Sequence, residues 1–394
     1  MRFLHTGDWH VGKPLKGRSR LEEHVEVLDE IVGIARAERV DALLVGGDAF
    51  EHQVPTAEVE KLVWETLARC CAAGIAVVLI GGNHEHPRKL AALQNLLDPL
   101  RIFVRPEPVG PAHGGVISLP SRDGREAAQI AVLPFAAETR IAQASDLFDP
   151  AEQWYQAYAD RVARMLEILA GSFRADCVNL MLAHLMVSGA LVGGGERPTH
   201  LLDVYGVTPE RLPPGAHYIG LNHLHRPQRL PTAAWCEYSG SPLQLDFGEL
   251  QQDKRVVLVE GHPGRPVEVR SVPLTSGRRL LEVRGTLETL RARADELRGA
   301  WLRVHVEVPA PTPGIAALVK EALPDALEIR QEYPAVSAWS GAAGPGAPEA
   351  MASGEVPPAE MLRAYYRQAH QAELPEAVGE LFARLYQDAL DETV

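Results

Sequence analysis

Two residues that bind metal ions well, Asp8 and His10, close the first apolar run of the chain, "FLHTGDWHVG". An Asp-x-His pair alone is an ordinary loop feature. It gains weight because the pattern returns: Asp48 follows "LLVGG", Asn83 and His84 follow "VVLIGG", His184 follows "NLMLA", and His223 and His225 follow "YIGLN". These are oxygen and nitrogen donors with no thiolate, a set that favours manganese, magnesium, iron or zinc over soft-metal chemistry. They are too many for one ion and about right for two, with Asp48 in the middle able to bridge through its two oxygens. Two ions roughly 3.5–4 Å apart polarise a phosphate and generate a hydroxide nucleophile between them. The glycines beside the ligands (Gly7, Gly46, Gly47, Gly81, Gly82) are expected to let the backbone turn sharply and approach the metals.

The elements that must bring these groups together are legible as alternating patterns. "RFLHTGD" reads as a strand. "SRLEEHVEVLDEIVGIARAERV" reads as a helix, with Ser19 and Glu22 in capping-box spacing and an apolar face of Leu21, Val25, Leu28, Ile31, Val32 and Ala35. Strand "DALLVGGD", helix "TAEVEKLVWETLARCCAAG" and strand "IAVVLIGGN" complete a βαβαβ run, which predicts a mainly parallel sheet covered by helices. Strand ends on one side of such a sheet converge on one crevice, so the candidate ligands are expected to meet there. Further strands are read at "VISLP", "QIAVLPF", "VNLMLAHL", "HYIGLNHLH", "EYSGSPLQ", "RVVLVEG" and "VEVRSVPL", with a helix around 149–170, and this large domain is expected to span 1–274. A β-α-β-α-β pattern over 275–335 suits a small separate domain. The Gly/Ala/Pro-rich stretch 336–357 reads as a flexible linker, and 358–394 as a helix pair split at Pro375.

Bulk composition limits the choice of function. The chain has 394 residues, a net charge of −13 and no apolar run long enough to span a membrane. The acidic balance argues against a generic nucleic-acid-coating protein but not against a nucleic-acid enzyme, since metal ions can supply local positive charge. No secretory signal pattern is visible, so a cytoplasmic location is expected. The four cysteines, Cys70, Cys71, Cys177 and Cys236, form no CxxC pair and read as small core residues. "GKPLKGRSR" sets Lys13, Lys16, Arg18 and Arg20 beside the first ligands, either as a phosphate grip or as a solvated loop; Arg88 and Lys89 carry the same ambiguity.

Taken in order, "GDWH", "GGD", "GNHE", a lone histidine after a strand and "HLH" resemble the five signatures of the calcineurin-like metallophosphoesterases. "LHTGDWHVGKPLKGRSRLEEH", "HLHRPQ" and "YSGSPLQLDFGE" extend the resemblance to a branch of bacterial repair-nuclease subunits over the whole chain. The resemblance implies a β-sandwich flanked by helices, a small α/β capping domain and a C-terminal helix pair. It implies one metal on Asp8, His10, Asp48 and His225, a second on Asp48, Asn83, His184 and His223, and His84 at the scissile phosphate. It further implies two divalent ions, most simply Mn2+ with Mg2+ as the alternative, and 3′-to-5′ exonuclease action on duplex ends with endonuclease action on single strands or hairpins. The implied partners are DNA, in its repair, recombination and replication, a second copy of the chain through the helices of 56–71 and 87–100, and an ATPase forming a heterotetramer. Asn222 stands where the family usually has Gly and is expected to supply the same left-handed backbone. Glu85 replaces a common Asp, His86 reads as a loop residue, and Glu51 and His52 receive no role.

Other readings remain open at this point. The Asp-Arg-Gly expected of serine/threonine phosphatases is missing after Asp48, and the export signal of periplasmic nucleotidases is missing too. A small-molecule phosphodiesterase is the enzyme alternative, and a scaffold serving a partner is the non-enzyme one. No GxxxxGK[ST] loop occurs, so ATP hydrolysis is not expected from this chain. The final helices present an apolar stripe of Met361, Leu362, Tyr365, Leu381, Phe382, Leu385 and Tyr386, which two short helices cannot bury alone and which points to docking on a partner.

Overall fold

The computed structural model describes residues 1–136, 151–196, 206–309, 312–333, 358–370 and 372–391. Residues Met1–Glu332 form one compact unit and Tyr333–Val394 a second.

In the first unit the alternating apolar runs become β1 (Arg2–Thr6), β2 (Ala42–Val45), β3 (Ala76–Ile80) and β4 (Ile102–Arg105), all parallel, with β11 (Arg255–Glu260) paired antiparallel to β1 and β12 (Glu268–Pro273) antiparallel to β11. The facing sheet has the order β5 (Val116–Pro120), β6 (Ala127–Leu133), β7 (Val178–His184), β8 (Tyr218–Asn222), β10 (Trp235–Tyr238), β9 (Gln228–Leu230). Its four middle strands are parallel and its two edge strands antiparallel. Because each sheet is covered on both faces, its strands read as continuous apolar runs rather than alternating ones. Phe3, Leu44, Val78 and Ile80 meet Ile130, Leu180, Leu182 and Tyr218 between the sheets. On the outer faces lie α1 (Leu21–Ala37) and α2 (Ala57–Ala72) on one side and α4 (Ala151–Ala170) on the other; α3 (Pro87–Leu97) follows the third strand.

Three local expectations are corrected. Helix α1 begins at Leu21 with Arg20 as its N-cap and no side-chain cap, so the Ser19–Glu22 capping box does not form. Its buried face takes in Glu23 and His24, while Val25 is 40% exposed. Glu23 lies inside because it accepts hydrogen bonds from the Arg20 guanidinium, from Trp301 Nε1 at 2.8 Å and from Arg278 N at 2.8 Å. Of the cysteines, Cys71 is only partly buried and its thiol reaches the Leu100 carbonyl.

The third sheet, β13 (Leu280–Gly285), β14 (Trp301–Glu307) and β15 (Ala326–Glu332), is all parallel. The single helix expected between its first two strands is broken at Arg293 into α5 (Leu287–Ala292) and α6 (Ala294–Leu297); α7 (Ile315–Ala322) precedes the last strand. Glu30 of the first helix accepts from the N–H groups of Thr275 and Ser276, and Gln244 Oε1 accepts from Leu280 N at 3.0 Å, fixing this layer to the sandwich.

The second unit's described elements are α8 (Pro358–His370) and α9 (Glu376–Asp391). Tyr365, Leu381 and Leu385 are exposed and Leu362 and Phe382 half-buried. The expected linker 336–357 and the side chains of Met361 and Tyr386 lie outside the described residues. Among the described residues no helix is long and apolar enough to cross a membrane.

Candidate metal centre

The loops after β1, β2, β3, β7 and β8 meet at one rim of the sandwich. Asp8 N donates to Gly47 O and His10 N to Asp48 O, both at 2.9 Å, so the first two loops run side by side and carry their ligands in register. His223 N donates to the Asp8 carboxylate at 3.1 Å, which ties the facing sheet to the same point. Asp8, His10, Asp48, His84, His184, His223 and His225 are all at most 5% exposed, and Asn83 is half-buried. The eight residues singled out from widely separated parts of the chain thus share one site.

The backbone at this rim is strained. Among the described residues seven non-glycine residues have positive φ, and four of them are candidate ligands: Asp8 (49°), His10 (46°), Asp48 (49°) and His223 (110°). Each such residue costs about 1–2 kcal/mol, so together they consume a sizeable share of a typical net stability of about 5–15 kcal/mol. The buried core between and outside the sheets is what offsets this. The glycines act differently from expectation: of the five named, only Gly47 is left-handed (φ 97°). Gly46 and Gly82 instead leave space, because a Cβ would lie 1.8 Å from Asn222 Oδ1 and 2.1 Å from Asp48 Oδ1 respectively.

Asn222 also departs from its expected part. It stays in strand geometry, and the unusual φ falls on His223. Its amide does the work: Nδ2 donates to Asp8 Oδ2 at 3.0 Å and to Ser239 Oγ at 2.9 Å, while Oδ1 accepts from His5 Nε2 at 2.8 Å. With that proton assigned, His5 Nδ1 accepts from Tyr218 OH at 2.8 Å. All four supports, His5, Asn222, Tyr218 and Ser239, are fully buried.

The inner ring nitrogens show what the site can hold. His10 Nδ1 lies 2.8 Å from Glu51 Oε2 and His184 Nδ1 2.8 Å from Gly46 O, both pure acceptors, so each ring carries its proton on the outer nitrogen. The inner nitrogens are then lone pairs. His184 Nε2 faces Asn83 Oδ1 at 3.0 Å and Asp48 Oδ2 at 3.5 Å, and His10 Nε2 faces His225 Nε2 at 3.1 Å. Acceptor against acceptor in a buried pocket is unfavourable, and a divalent ion between them, which suits this oxygen–nitrogen set, relieves it. Two triads bring their ligand atoms within 4.8 Å, His10–Asp48–His84 and Asp48–His184–His223, and Asp48 belongs to both. His84, assigned to the phosphate rather than to a metal, lies in the first.

Titration follows the same logic. Burial pushes the Asp8 carboxyl up to about 6 and holds His10 well below its usual value. Burial would raise Asp48 too, but His184, His84 and His10 outweigh it and keep that carboxyl well below the usual range. Burial, with the Asp48 charge second, pushes Glu85 up to about 8, although its carboxyl group accepts from the N–H groups of Asp48, Phe50 and Gly82.

Several contributors escaped the reading by pattern. Glu51 carries the outer nitrogen of His10 on its carboxylate and that of His84 on its carbonyl at 2.7 Å. The ring of Phe135 lies 6.1 Å from His223, nearly parallel, and 6.0 Å from His184. Glu51 sits three residues after Asp48, a spacing that was visible; Phe135 had no signal. Of the basic loop, Arg20 is buried on Glu23 and is unavailable for a phosphate, while Lys13 pairs with Glu51 at 3.5 Å and Lys16 with Glu328 at 3.4 Å. His52 and His86 are exposed.

The first 131 residues match the family model described as calcineurin-like phosphoesterase, and 276–370 match one described as the type 5 capsule protein repressor C-terminal domain. The fold is therefore that of a calcineurin-like phosphoesterase. The chain is 36% identical over 317 residues to a Bacillus subtilis protein named as the D subunit of the nuclease SbcCD, covering 78% of this chain and 79% of that one. A namesake in Rhodobacter capsulatus is 32% identical over 356 residues (84% and 86%), and one in Escherichia coli K12 is 29% identical over 327 (78% of each). Within the phosphoesterases, the chain belongs to the family of SbcCD nuclease D subunits.

Proposed function

We propose that this protein is a metal-dependent nuclease that hydrolyses DNA phosphodiesters, as a 3′-to-5′ exonuclease on duplex ends and an endonuclease on single strands or hairpins. The observation that carries the reading is the shared Asp48, with the lone pairs of His10 and His225 opposed and that of His184 turned on Asn83 Oδ1 and Asp48. One ion would be held by Asp8, His10, Asp48 and His225, and the other by Asp48, Asn83, His184 and His223, with Mn2+ the preferred metal. Two such ions polarise a phosphate and supply a nucleophile at neutral pH. His84 donates its Nδ1 proton to the Glu51 carbonyl, so proton exchange with a phosphate oxygen falls to its Nε2. Burial of the rim strengthens each of these interactions.

On this reading 1–274 is the catalytic domain, 275–335 the cap, 336–357 a linker and 358–394 a helix pair that docks on an SbcC-type ATPase. The working assembly would be a homodimer of this chain joined to that ATPase as a heterotetramer, in the cytoplasm and at the nucleoid. Degradation of an end-labelled duplex with Mn2+, set against a His84→Ala control, tests the activity. Loss of cleavage in the control supports a nuclease acting at this rim. Survival of all DNA while a small phosphodiester is cleaved would sink the nuclease reading for the isolated chain and favour a small-molecule phosphodiesterase.

A further inference from the structure

The segment 239–254, "SGSPLQLDFGELQQDK", lies beside the site without supplying a ligand. Within it Glu249 is fully buried (0% exposed) and Lys254 nearly so. Glu249 Oε1 is 3.0 Å from His225 Nδ1, and Oε2 accepts from Lys254 Nζ at 2.7 Å and from Leu245 N at 3.0 Å. Lys254 Nζ also donates to the His225 carbonyl at 3.0 Å, to Ser241 Oγ at 2.8 Å and to Gln252 Oε1 at 2.9 Å. An ionised carboxylate only accepts, so the His225 proton belongs on Nδ1 and Nε2 is the atom turned toward His10.

Stability alone is a weak reason for this arrangement. Removing two charges from water costs several kcal/mol per ion, and an apolar pair of the same volume commonly holds a fold as well or better. What the pair provides is a fixed ring: Lys254 grips both the backbone carbonyl of His225 and the carboxylate that holds its side chain.

We propose that Glu249, anchored by Lys254 and Ser241, is a positioning residue for His225, which sets the ring orientation and keeps Nε2 as the metal-facing lone pair. This rests on the reading of His225 as a ligand. A carboxylate behind a ligating imidazole raises its basicity and fixes its tautomer, and loss of such a partner typically costs 10–100-fold in metal affinity.

The test is calorimetric titration of Mn2+ into the full-length protein, well below its melting temperature. The double variant Glu249→Gln/Lys254→Met removes both buried charges together and strands neither. Its Mn2+ affinity is expected to fall about tenfold, and His225→Ala added to it should cost little more, although His225→Ala alone weakens binding in the native background. Native-like affinity in the double variant, whatever its melting temperature, overturns the positioning role and leaves the metal site standing. If His225→Ala alone leaves Mn2+ binding unchanged, the ligand reading beneath the proposal fails as well. Should the double variant not fold, 15N-histidine spectra of the Mg2+-loaded native protein decide: the proton is expected on His225 Nδ1, and a proton on Nε2 overturns the proposal.

Discussion

The rim around Asp48 and the open face of the third sheet use the same residue types to opposite ends. On β14, His305 sits 2.6 Å from Glu282 Oε1 and 2.7 Å from Glu332 Oε1. There each carboxylate also has a guanidinium within reach: Arg284 on Glu332, and Arg303 on Glu328 and, at 3.9 Å, on Glu282. At the rim the carboxylates of Asp8 and Asp48 meet imidazoles and backbone N–H groups instead. A histidine among carboxylates is therefore no metal site by itself. What distinguishes the rim is that, among the described residues, no Lys or Arg pairs with Asp8 or Asp48; Lys254 and Lys13 pair instead with Glu249 and Glu51, behind His225 and His10. The two triads of candidate ligands found among the described residues both include Asp48.

The largest effect separating the two regions is expected at Asp48. Asp48→Asn should lower Mn2+-dependent hydrolysis of bis(p-nitrophenyl) phosphate by about 10³-fold or more, and calorimetry should show at least one Mn2+ site lost. Retained activity would mean that the bridging position is not the centre of the site.

A medium effect separates buried histidines from surface ones. Burial lowers both His5 and His24 to about 4. Below about pH 6.5 the unfolded chain takes up a proton at each ring that the folded chain refuses, so this contribution to stability is intact above that pH and is lost as pH falls toward 4. The slope is about 1.4 kcal/mol per pH unit per ring. Urea unfolding of the metal-free protein at about pH 7, 5.5 and 4.5 reads it, and His24→Gln should remove its share. A stability that is flat over this range would refute the neutral, buried state of both rings.

The smallest effect belongs to the third sheet. Glu332→Ala breaks contacts to His305 and Arg284 on a partly exposed face, and should change stability by about 1 kcal/mol or less while leaving Mn2+ affinity untouched. A change in Mn2+ binding there would erase the contrast between the regions.

The candidate positions were legible in the chain because the information is local. A parallel strand ends and a candidate side chain lies at or just past its end, beside glycines for Asp8, Asp48 and Asn83 and as the last strand residue for His184; each could be read from the short stretch of sequence around it. The βαβαβ order followed from the same short-range periodicity. What tertiary structure alone decided is everything that depends on a partner far along the chain. It set β11 beside β1, drew Glu23 into the interior to meet Trp301 and Arg278, and left Val25 outside. It turned Asn222 from an expected backbone substitute into the hydrogen-bond donor of Asp8, across 214 residues. Apolar burial follows a periodic rule that sequence displays, whereas a polar group can be buried only where a distant partner satisfies it, and no local pattern announces where that partner will be.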